Sequence, residues 1–343
     1  MCNDPRCAIS SPLRDDVVFL NHGAYGACPR PVFEEYQRWQ LELERQPVEF
    51  HARRFRGLMR TAREALAGYV GADADDLVFV TNATTAVNVV ARSLSLGPGD
   101  EVQVWSAVTD RTRVVCLSHI TSPTALILPV EELVRRAREA GIITLVDGAH
   151  APGQIPLDLR TLGADYYAAN CNKWLYAPKG SGFLYARREM QPRLRPLLVS
   201  WGEEWTDGVT PSAFINEFEY QGTRDPAPFL AVPAAIAFQR AHDWDSVRET
   251  CHALADRARE AVTAITGLPP LSPDDPAWFA QMVSIPLPVE DPRAAQRRLL
   301  EEFGIEVVAT RWQGHPLLRV SVQAYNTRSD IDRLAGAVGA VLR

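Results

Sequence analysis

Lysine is almost absent from this chain of 343 residues. Of its 36 basic side chains, 34 are arginines, and the lysines are Lys173 and Lys179. Arginine keeps its proton at any working pH, so it cannot act as an amine nucleophile. If the chemistry of this protein needs such a nucleophile, only these two side chains can provide it.

Other features are missing as well, and each absence excludes a class of protein. The six cysteines form no C-x-x-C pair, which disfavours a disulfide framework and a zinc site. There is no run of about 18 uncharged apolar residues and no apolar signal-peptide core, so we expect a cytoplasmic protein without a membrane partner. With a formal net charge of −6 and no long Lys/Arg run, nucleic acid is not an expected partner.

The order of the apolar runs and helical patterns predicts an α/β protein. Apolar runs alternate with helical spacing, which is typical of a mostly parallel sheet covered on both faces. The runs that predict strands are residues 77–80, 102–105, 113–117, 142–146, 164–169 and 182–186. From about residue 226 a long helical pattern through residue 265 is followed by a Pro-rich break and mixed strands and helix, which predicts a second, smaller α+β domain.

These patterns predict three parts of the chain. Residues 1–30 form an N-terminal segment that packs on the small domain, residues 31–228 form the large domain, and residues 229–343 form the small C-terminal domain. In an open parallel sheet, ligands bind at the carboxyl ends of the strands. The polar residues that follow the predicted strands of the large domain are therefore the candidates for a functional site.

The segment around Lys173 carries the sharpest chemical signal. Residues 170–184 read NCNKWLYAPKGSGFL, which places Lys173 beside Cys171 and Trp174. Apolar neighbours disfavour the charged ammonium and favour use of the amine as a nucleophile. In an average protein, a lysine in such a segment is more often a solvated turn residue, but this chain has almost no lysine elsewhere. Lys179 is more typical of a turn residue.

Polar residues also follow two other predicted strands. A carboxylate at Asp147 can hold a heterocyclic nitrogen protonated, although an Asp in this position can equally cap the next turn. His150, three residues later, could reach the same ligand or merely pack. Residues 81–85, TNATT, open a helix, where free N–H groups and hydroxyls can bind phosphate or simply cap the helix.

Six segments of the chain, in this order, match the motifs of a known family. They are FLNHGAYG, TNATTAVN, LVDGAHAPGQ, NCNKWLYAPKGSGFLY, YQGTRD and LLRVSVQAYNT. Together they resemble the class V aminotransferase-like enzymes of fold type I, which use pyridoxal 5'-phosphate (PLP). Within that group the chain is most similar to the isopenicillin-N-epimerase-like branch, which also includes carbon–sulfur lyases. The resemblance spans nearly the whole chain and makes residues 31–228 the PLP-binding large domain.

The resemblance implies a role for each matching residue. Lys173 would carry the cofactor as a Schiff base and then move the substrate proton, Asp147 would pair with the pyridine nitrogen, and His150 would bond the phenolic oxygen. The other residues implied to bind the cofactor are Asn82, Ala83, Thr84, Ser122, Asn170, Asn172 and, from the neighbouring subunit of a homodimer, Thr223. The residues implied to line the substrate side are Asn21, His22 and Arg319, whose guanidinium would grip the α-carboxylate.

The sequence departs from the family pattern at three places. Asn172 stands where many relatives have a histidine that helps to bind the phosphate. The large domain is shortened near residues 103–109, where relatives carry tens of further residues that include the side chain stacked on the PLP ring; Trp105 is the nearby aromatic that could replace it. Residues 307–316, before Arg319, contain no cysteine, which disfavours a persulfide-forming cysteine desulfurase.

These observations predict a PLP-dependent enzyme that acts on a small, sulfur-containing amino acid through a Cα carbanion. Carbon–sulfur elimination and Cα epimerisation share this carbanion, so the sequence leaves lyase and epimerase open, with an aminotransferase as a further alternative. A second hypothesis is a non-catalytic PLP-fold protein that has degenerated after the internal loss. A dinucleotide-binding oxidoreductase is disfavoured, because no G-x-G-x-x-G turn follows an early strand.

Overall fold

The computed structural model describes residues 11–96, 99–103, 108–204 and 212–343. The chain forms two compact units. Unit 1 consists of residues 1–30, 120–128 and 239–343, and unit 2 of residues 31–119 and 129–238. The inclusion of residues 120–128 in unit 1 had no signal in the sequence, because these residues interrupt the strand and helix pattern of the large domain.

The described residues contain both strands and helices throughout. The strands are β1 (Val18–Phe19), β2 (Leu77–Val80), β3 (Glu101–Gln103), β4 (Thr112–Ser118), β5 (Ile143–Asp147), β6 (Tyr166–Asn170), β7 (Gly182–Ala186), β8 (Met282–Pro286), β9 (Ile305–Glu306), β10 (Val308–Trp312) and β11 (His315–Ser321). The α-helices are α1 (His22–Tyr25), α2 (Arg30–Arg45), α3 (Pro47–Glu49), α4 (Phe55–Val70), α5 (Ala83–Ser93), α6 (Val130–Glu139), α7 (Leu159–Leu162), α8 (Ala213–Glu219), α9 (Ala227–Leu230), α10 (Val232–Ala241), α11 (Trp244–Thr266), α12 (Pro292–Phe303) and α13 (Arg328–Val341).

The centre of unit 2 is a six-stranded sheet in the order β2-β7-β6-β5-β4-β3. Strands β3 to β6 run parallel, while β7 is antiparallel to both of its neighbours, β6 and β2. Every residue of β2, β6 and β7 is buried, as expected for strands covered on both faces. This architecture confirms the predicted α/β fold with a mostly parallel sheet.

Helix α5 follows β2 directly and packs on the sheet of unit 2. Its buried residues Ala83, Ala86, Val89 and Val90 recur three or four apart and belong to one apolar core with residues of β2, β6 and β7. The helix begins where the Asn82 side chain accepts the backbone N–H of Thr85. The packing places the N-terminus of α5 at the carboxyl ends of β2 and β6.

Unit 1 is built on the antiparallel sheet β10-β11-β8, with the parallel pair β1-β9. Strand β1 thereby joins the N-terminal segment to the C-terminal part of the chain. Residues of α11, α12 and α13 pack with these strands in one core. Among the described residues, no helix is both long and apolar enough to cross a membrane.

Two helical features of this region differ from the sequence prediction. The helical pattern predicted from residue 226 to 265 is divided into α9, α10 and α11, with Asp243 in the left-handed region (φ 45°) directly before α11. Helix α13 was not predicted. Its start carries a local signal, because Thr327 and Asp330 cap each other's backbone N–H groups.

Candidate active site

Polar groups of unit 2 meet at the carboxyl edge of its sheet. Asp147 ends β5, His119 follows β4, and Asn170 ends β6. The His119 backbone N–H donates to the Asp147 carbonyl at 2.8 Å, and the Ala83 N–H at the start of α5 donates to Asn170 Oδ1 at 2.9 Å. Three strand ends and one helix terminus therefore converge where ligands bind in this class of fold.

Lys173 lies beside His150 in this part of unit 2. The Lys173 Nζ and His150 Nε2 atoms are 3.1 Å apart, and the other ring nitrogen, Nδ1, accepts the indole N–H of Trp174 at 3.3 Å. Trp174 is fully buried and His150 is 3% exposed. The amine predicted as the nucleophile is thus in hydrogen-bond contact with an imidazole. Lys179, by contrast, is exposed.

The backbone after Lys173 is strained. Tyr176 is a fully buried, non-glycine residue in the left-handed region, with φ 70°. Its N–H donates to the Lys173 carbonyl at 3.2 Å, and the Ala177 N–H donates to the Cys171 carbonyl at 3.0 Å. Such a conformation costs about 1–3 kcal/mol and persists only where the surroundings impose it, typically at functional sites.

Only one of the two carboxylate oxygens of Asp147 is hydrogen-bonded within its own turn. Its Oδ1 accepts the Ala149 N–H at 2.9 Å, which is the local capping role that a strand-end Asp often has. No bond to Oδ2 is present within the described residues. One carboxylate oxygen therefore remains available for a ligand.

His119 and Tyr167 form a buried pair that sequence reasoning missed. Their Nδ1 and hydroxyl atoms are 2.8 Å apart, and Gly148 leaves room for the tyrosine, because a Cβ on Gly148 would lie 2.1 Å from the Tyr167 ring. Burial lowers the pKa of His119 to about 4, and burial with the nearby Asp147 raises the pKa of Tyr167 well above its usual value. Both side chains are therefore uncharged at neutral pH. Their signal in the sequence was a histidine placed directly after an apolar strand.

We expect the low pKa of His119 to make the protein lose stability in acid. The unfolded chain binds a proton at His119 below about pH 6.5, whereas the folded chain resists it down to about pH 4. Stability from this residue is complete above pH 6.5 and falls by about 3 kcal/mol as the pH drops to 4. Urea unfolding across this range should show that loss in the wild type and not in His119→Gln. An equal loss in both proteins would contradict the assignment, and His315→Gln, at an exposed histidine, is the control.

The start of α5 has the properties of an anion-binding terminus. Asn82 and Thr84 are exposed, and the Asn82 side chain caps Thr85. The Ala83 N–H is already donated to Asn170, but the Thr84 N–H has no partner in the part of the chain that the structure describes. First-turn N–H groups together with hydroxyls suit a phosphate.

Four of the predicted site residues lie in unit 1. Arg319 is 5% exposed, and its Nη1 donates to the carbonyl and the hydroxyl of Ser122, both at 2.9 Å. Its Nε has no partner among the described residues, and no carboxylate is paired with it there. Burial lowers the pKa of Arg319 to about 10. A buried guanidinium without a carboxylate partner suits an anionic ligand.

Asn21 and His22, the other two of these four residues, lie next to β11, the strand that carries Arg319. Asn21 forms a β-bridge with Ser321 and donates from Nδ2 to Glu306 at 3.2 Å, while its Oδ1 has no partner among the described residues. His22 is fully buried, with Nδ1 2.8 Å from the Tyr325 hydroxyl. The structure therefore brings Asn21 next to the strand that carries Arg319 and places His22 against the ring of Tyr325.

The remaining predicted residues have different surroundings. Asn172 is half-buried, and Thr223 is exposed directly after Gly222. Trp105, the predicted substitute for the stacking residue, lies outside the described residues. Within the described ranges, no cluster of three or more His, Cys, Asp or Glu side chains could hold a metal ion.

Comparison with protein-family models decides the family. The model of the class-V aminotransferases matches residues 19–107 and 102–334, which is nearly the whole chain. The chain belongs to the class-V aminotransferase family. Membership confirms the predicted fold type, the cofactor pyridoxal 5'-phosphate and the prediction of an enzyme of this type. The two matched pieces meet at residues 102–107, beside the position where the sequence is shortened.

Individual proteins agree with the family. The chain is 37% identical to an isopenicillin N epimerase of Amycolatopsis lactamdurans over 377 residues, covering 94% of each chain, and 36% identical to that of Streptomyces clavuligerus, covering 96% of each. A solved cystine C–S lyase in complex with cysteine persulfide shares the fold, with a TM-score of 0.80 at 22% identity, over 95% of this chain and 98% of that one. The 377-position alignment exceeds the length of this chain, so it contains gaps in it.

The residues present in unit 2 fit the family's cofactor. The amine of Lys173 suits an aldehyde, the available Asp147 oxygen suits a ring nitrogen, and the Thr84 N–H suits a phosphate. Gly182 allows β7 to approach the start of α5, because a Cβ there would lie 2.8 Å from the Asn82 Cα. The donor and acceptor set therefore matches the three functional groups of PLP.

Proposed function

We propose that this protein abstracts the α-proton of an amino acid and uses the resulting carbanion for epimerisation or for cleavage of a carbon–sulfur bond. Pyridoxal phosphate supplies the electron sink for this chemistry. The contact between Lys173 Nζ and His150 Nε2, at 3.1 Å, carries the proposal because it places a half-buried amine within hydrogen-bond distance of an imidazole. The names of the similar proteins, two epimerases and a C–S lyase, support both outcomes.

The chain's own residues divide the work. Lys173 is proposed to hold the cofactor covalently and to move the α-proton, while Asp147 pairs with the ring nitrogen through its available oxygen. His150 is proposed to donate to the phenolic oxygen, and Ser122 to approach the ring. The residues proposed to hold the phosphate are Asn82, Thr84, Asn172 and Thr223 of a second copy. Ala83, which the resemblance implied as well, donates its N–H to Asn170, so these two residues are proposed to hold the start of α5 in place beside the cofactor. Arg319 is proposed to bind the substrate carboxylate, with Asn21 and His22 on the substrate side.

The two outcomes can be separated by product analysis. In D2O, an epimerase incorporates deuterium at Cα without forming a keto acid. A C–S lyase instead releases pyruvate, ammonia and the sulfur leaving group, which is hydrogen sulfide from cysteine or cysteine persulfide from cystine. Formation of a keto acid only when a second keto acid is supplied as the amino-group acceptor, with release of the matching amino acid, would instead indicate an aminotransferase. A purified protein that shows no bound-cofactor absorbance, even after PLP is added, would favour the degenerate, non-catalytic protein and would sink the proposal.

Replacing Arg319 by lysine should weaken substrate binding. A lysine retains the charge but loses the planar fork that bonds a carboxylate through two N–H groups. Loss of one charge-assisted bond corresponds to a fall in kcat/KM of about 10–100-fold, carried mostly by KM. Steady-state kinetics on the amino acid that the wild type turns over measures this. Arg311→Lys, at an exposed position, is the control, and equal kinetics in the two variants would exclude Arg319 from carboxylate binding.

We also propose that two copies of the chain associate. Thr223 is exposed, as an interaction with another copy requires, and unit 2 carries exposed apolar side chains that a partner would cover. The most exposed of these are Val199 (77%) and Trp201 (76%), with Leu198 (56%), Val48 (66%) and Leu41 (56%).

Light scattering after size exclusion should therefore give about twice the chain mass of 38.0 kDa. We expect Val199→Glu to shift the protein toward the single-chain mass, because a carboxylate in an apolar interface is left desolvated. Ile265→Glu, at an exposed apolar residue of unit 1, is the matched control. A wild type that elutes at 38.0 kDa would refute the homodimer.

A further inference from the structure

Trp174 contacts His150 on the ring nitrogen that does not face Lys173. We propose that Trp174 is a positioning residue that keeps the proton of His150 on Nε2. The indole Nε1–H can only donate a hydrogen bond, and it lies 3.3 Å from His150 Nδ1. Nδ1 must therefore accept that bond, so it carries no hydrogen of its own.

The proton count of the imidazole then determines its other contact. A neutral imidazole has one N–H, and with Nδ1 accepting, that N–H is on Nε2. Nε2 is 3.1 Å from Lys173 Nζ, so it donates and the lysine accepts as an uncharged amine. The reverse arrangement, with an ammonium donating to Nε2, would put a hydrogen on Nδ1 directly against the indole N–H. Trp174 thereby disfavours both that tautomer and the imidazolium.

The contact between Trp174 and His150 is built into the fold. Trp174 is fully buried, and Gly153 packs on its backbone with φ 89°, where a Cβ would lie 2.2 Å from the Trp174 carbonyl oxygen. Gln154 Nε2 donates to the His150 carbonyl at 2.7 Å, which holds the turn after Asp147 in place. The glycine and the glutamine of this turn thus position the imidazole relative to the indole.

The consequence for catalysis rests on the proposed function, whereas the tautomer itself does not. An N–H on Nε2 is a donor that suits a phenolic oxygen, and an uncharged amine is the form of lysine that reacts with an aldehyde. Trp174 would act through His150, without touching the reacting atoms. By favouring this tautomer, Trp174 would keep Lys173 uncharged for the capture of the cofactor and would keep an N–H on Nε2 for the bond to the phenolic oxygen.

The tautomer can be observed directly by 15N NMR of the full chain labelled at histidine. Protonated and unprotonated ring nitrogens have distinct shifts, and the signals of His150 are identified among the seven histidines by their loss in His150→Gln. We expect the wild type to show a protonated Nε2 and an unprotonated Nδ1, with cofactor bound and after its removal. A wild-type signal from a protonated Nδ1 would overturn the proposal, whatever the variants do.

The variant Trp174→Phe removes the indole N–H and keeps most of the ring. We expect its His150 to show a larger share of protonated Nδ1, and its capture of added PLP at about pH 7.5 to slow by about tenfold, the effect of losing one hydrogen bond. Trp39→Phe is the matched control, because Trp39 Nε1 has no partner among the described residues. Its tautomer and capture rate should match the wild type within about twofold.

The outcomes distinguish the positioning role of Trp174 from the proposed function of the protein. An unchanged His150 tautomer in folded Trp174→Phe refutes the role of Trp174. A wild type with the expected tautomer that never captures PLP supports the positioning of His150 and refutes the proposed function. Circular dichroism of Trp174→Phe confirms that the comparison is made on folded protein, and the wild-type NMR result stands without it.

Discussion

Lys173→Ala should lose the covalent bond to the cofactor and nearly all turnover. Without this amine, the other lysine of the sequence is Lys179, which is exposed in a turn. Loss of a positioned proton-transfer group alone lowers kcat by about 10²–10⁴-fold. The absorbance band of the cofactor linked to Nζ should disappear as well, and any cofactor that is still held should absorb as the free aldehyde.

Lys179→Ala is the natural control, because these two side chains are the only lysines in the sequence. Borohydride reduction followed by mass spectrometry should attach the cofactor to the peptide that carries Lys173 in the wild type and in Lys179→Ala. A bound-cofactor band that survives unchanged in Lys173→Ala, or a label on Lys179, would refute the assignment. The scarcity of lysine makes this experiment unusually clean.

Glu219→Ala should cause a large loss of stability without changing any residue of the proposed site. Glu219 and Arg63 are both buried and lie 2.7 Å apart, and the carboxylate also accepts the Phe79 N–H of β2 at 3.4 Å. Burial raises the pKa of Glu219, and Arg63 opposes that rise. Removing the carboxylate leaves a guanidinium buried without its counter-charge, which costs about 3–5 kcal/mol. Chemical denaturation gives the free energy of unfolding.

A double replacement distinguishes charge from packing at this pair. Arg63→Met with Glu219→Leu should recover most of the loss, because neither buried group is then charged. Glu64→Ala, in the exposed pair Arg60–Glu64, should change stability by at most about 0.5 kcal/mol. If Glu219→Ala also lowered stability by no more than about 0.5 kcal/mol, the buried pair would not make the expected contribution to the stability of the fold. Since Thr223 follows α8 by four residues, cofactor affinity measured on Glu219→Ala also tests the proposed role of that segment.

Much of the candidate site was predictable because its residues sit next to strong local patterns. Asp147 stands at the end of an apolar strand, Lys173 is one of only two lysines in the sequence, and the TNATT turn opens a helix. Their convergence followed from the rule that ligands bind at the carboxyl ends of parallel strands. The roles of the individual residues stay proposals, since they rest on the family resemblance and on geometry.

The partners of these residues could not be predicted, because each depends on side chains that meet only after folding. His119 and Tyr167 are 48 positions apart and share one buried hydrogen bond. Trp174 was visible only as an apolar neighbour of Lys173, and nothing local indicates that its N–H is aimed at His150. The break at Asp243 and the capping of α13 are smaller examples of conformations that local patterns leave open.

The sequence by itself determined the family and the α/β fold, because six motifs and the strand and helix periodicities can be read along the chain, and its near-absence of lysine made Lys173 the proposed amine. The tertiary structure decided how that amine is held. Only the packing of Gly153 on Trp174, and of Trp174 on His150, fixes which ring nitrogen faces Lys173. The orientation of the His150 ring and the position of its proton depend on contacts between residues that are distant in sequence, and those contacts exist only in the folded chain.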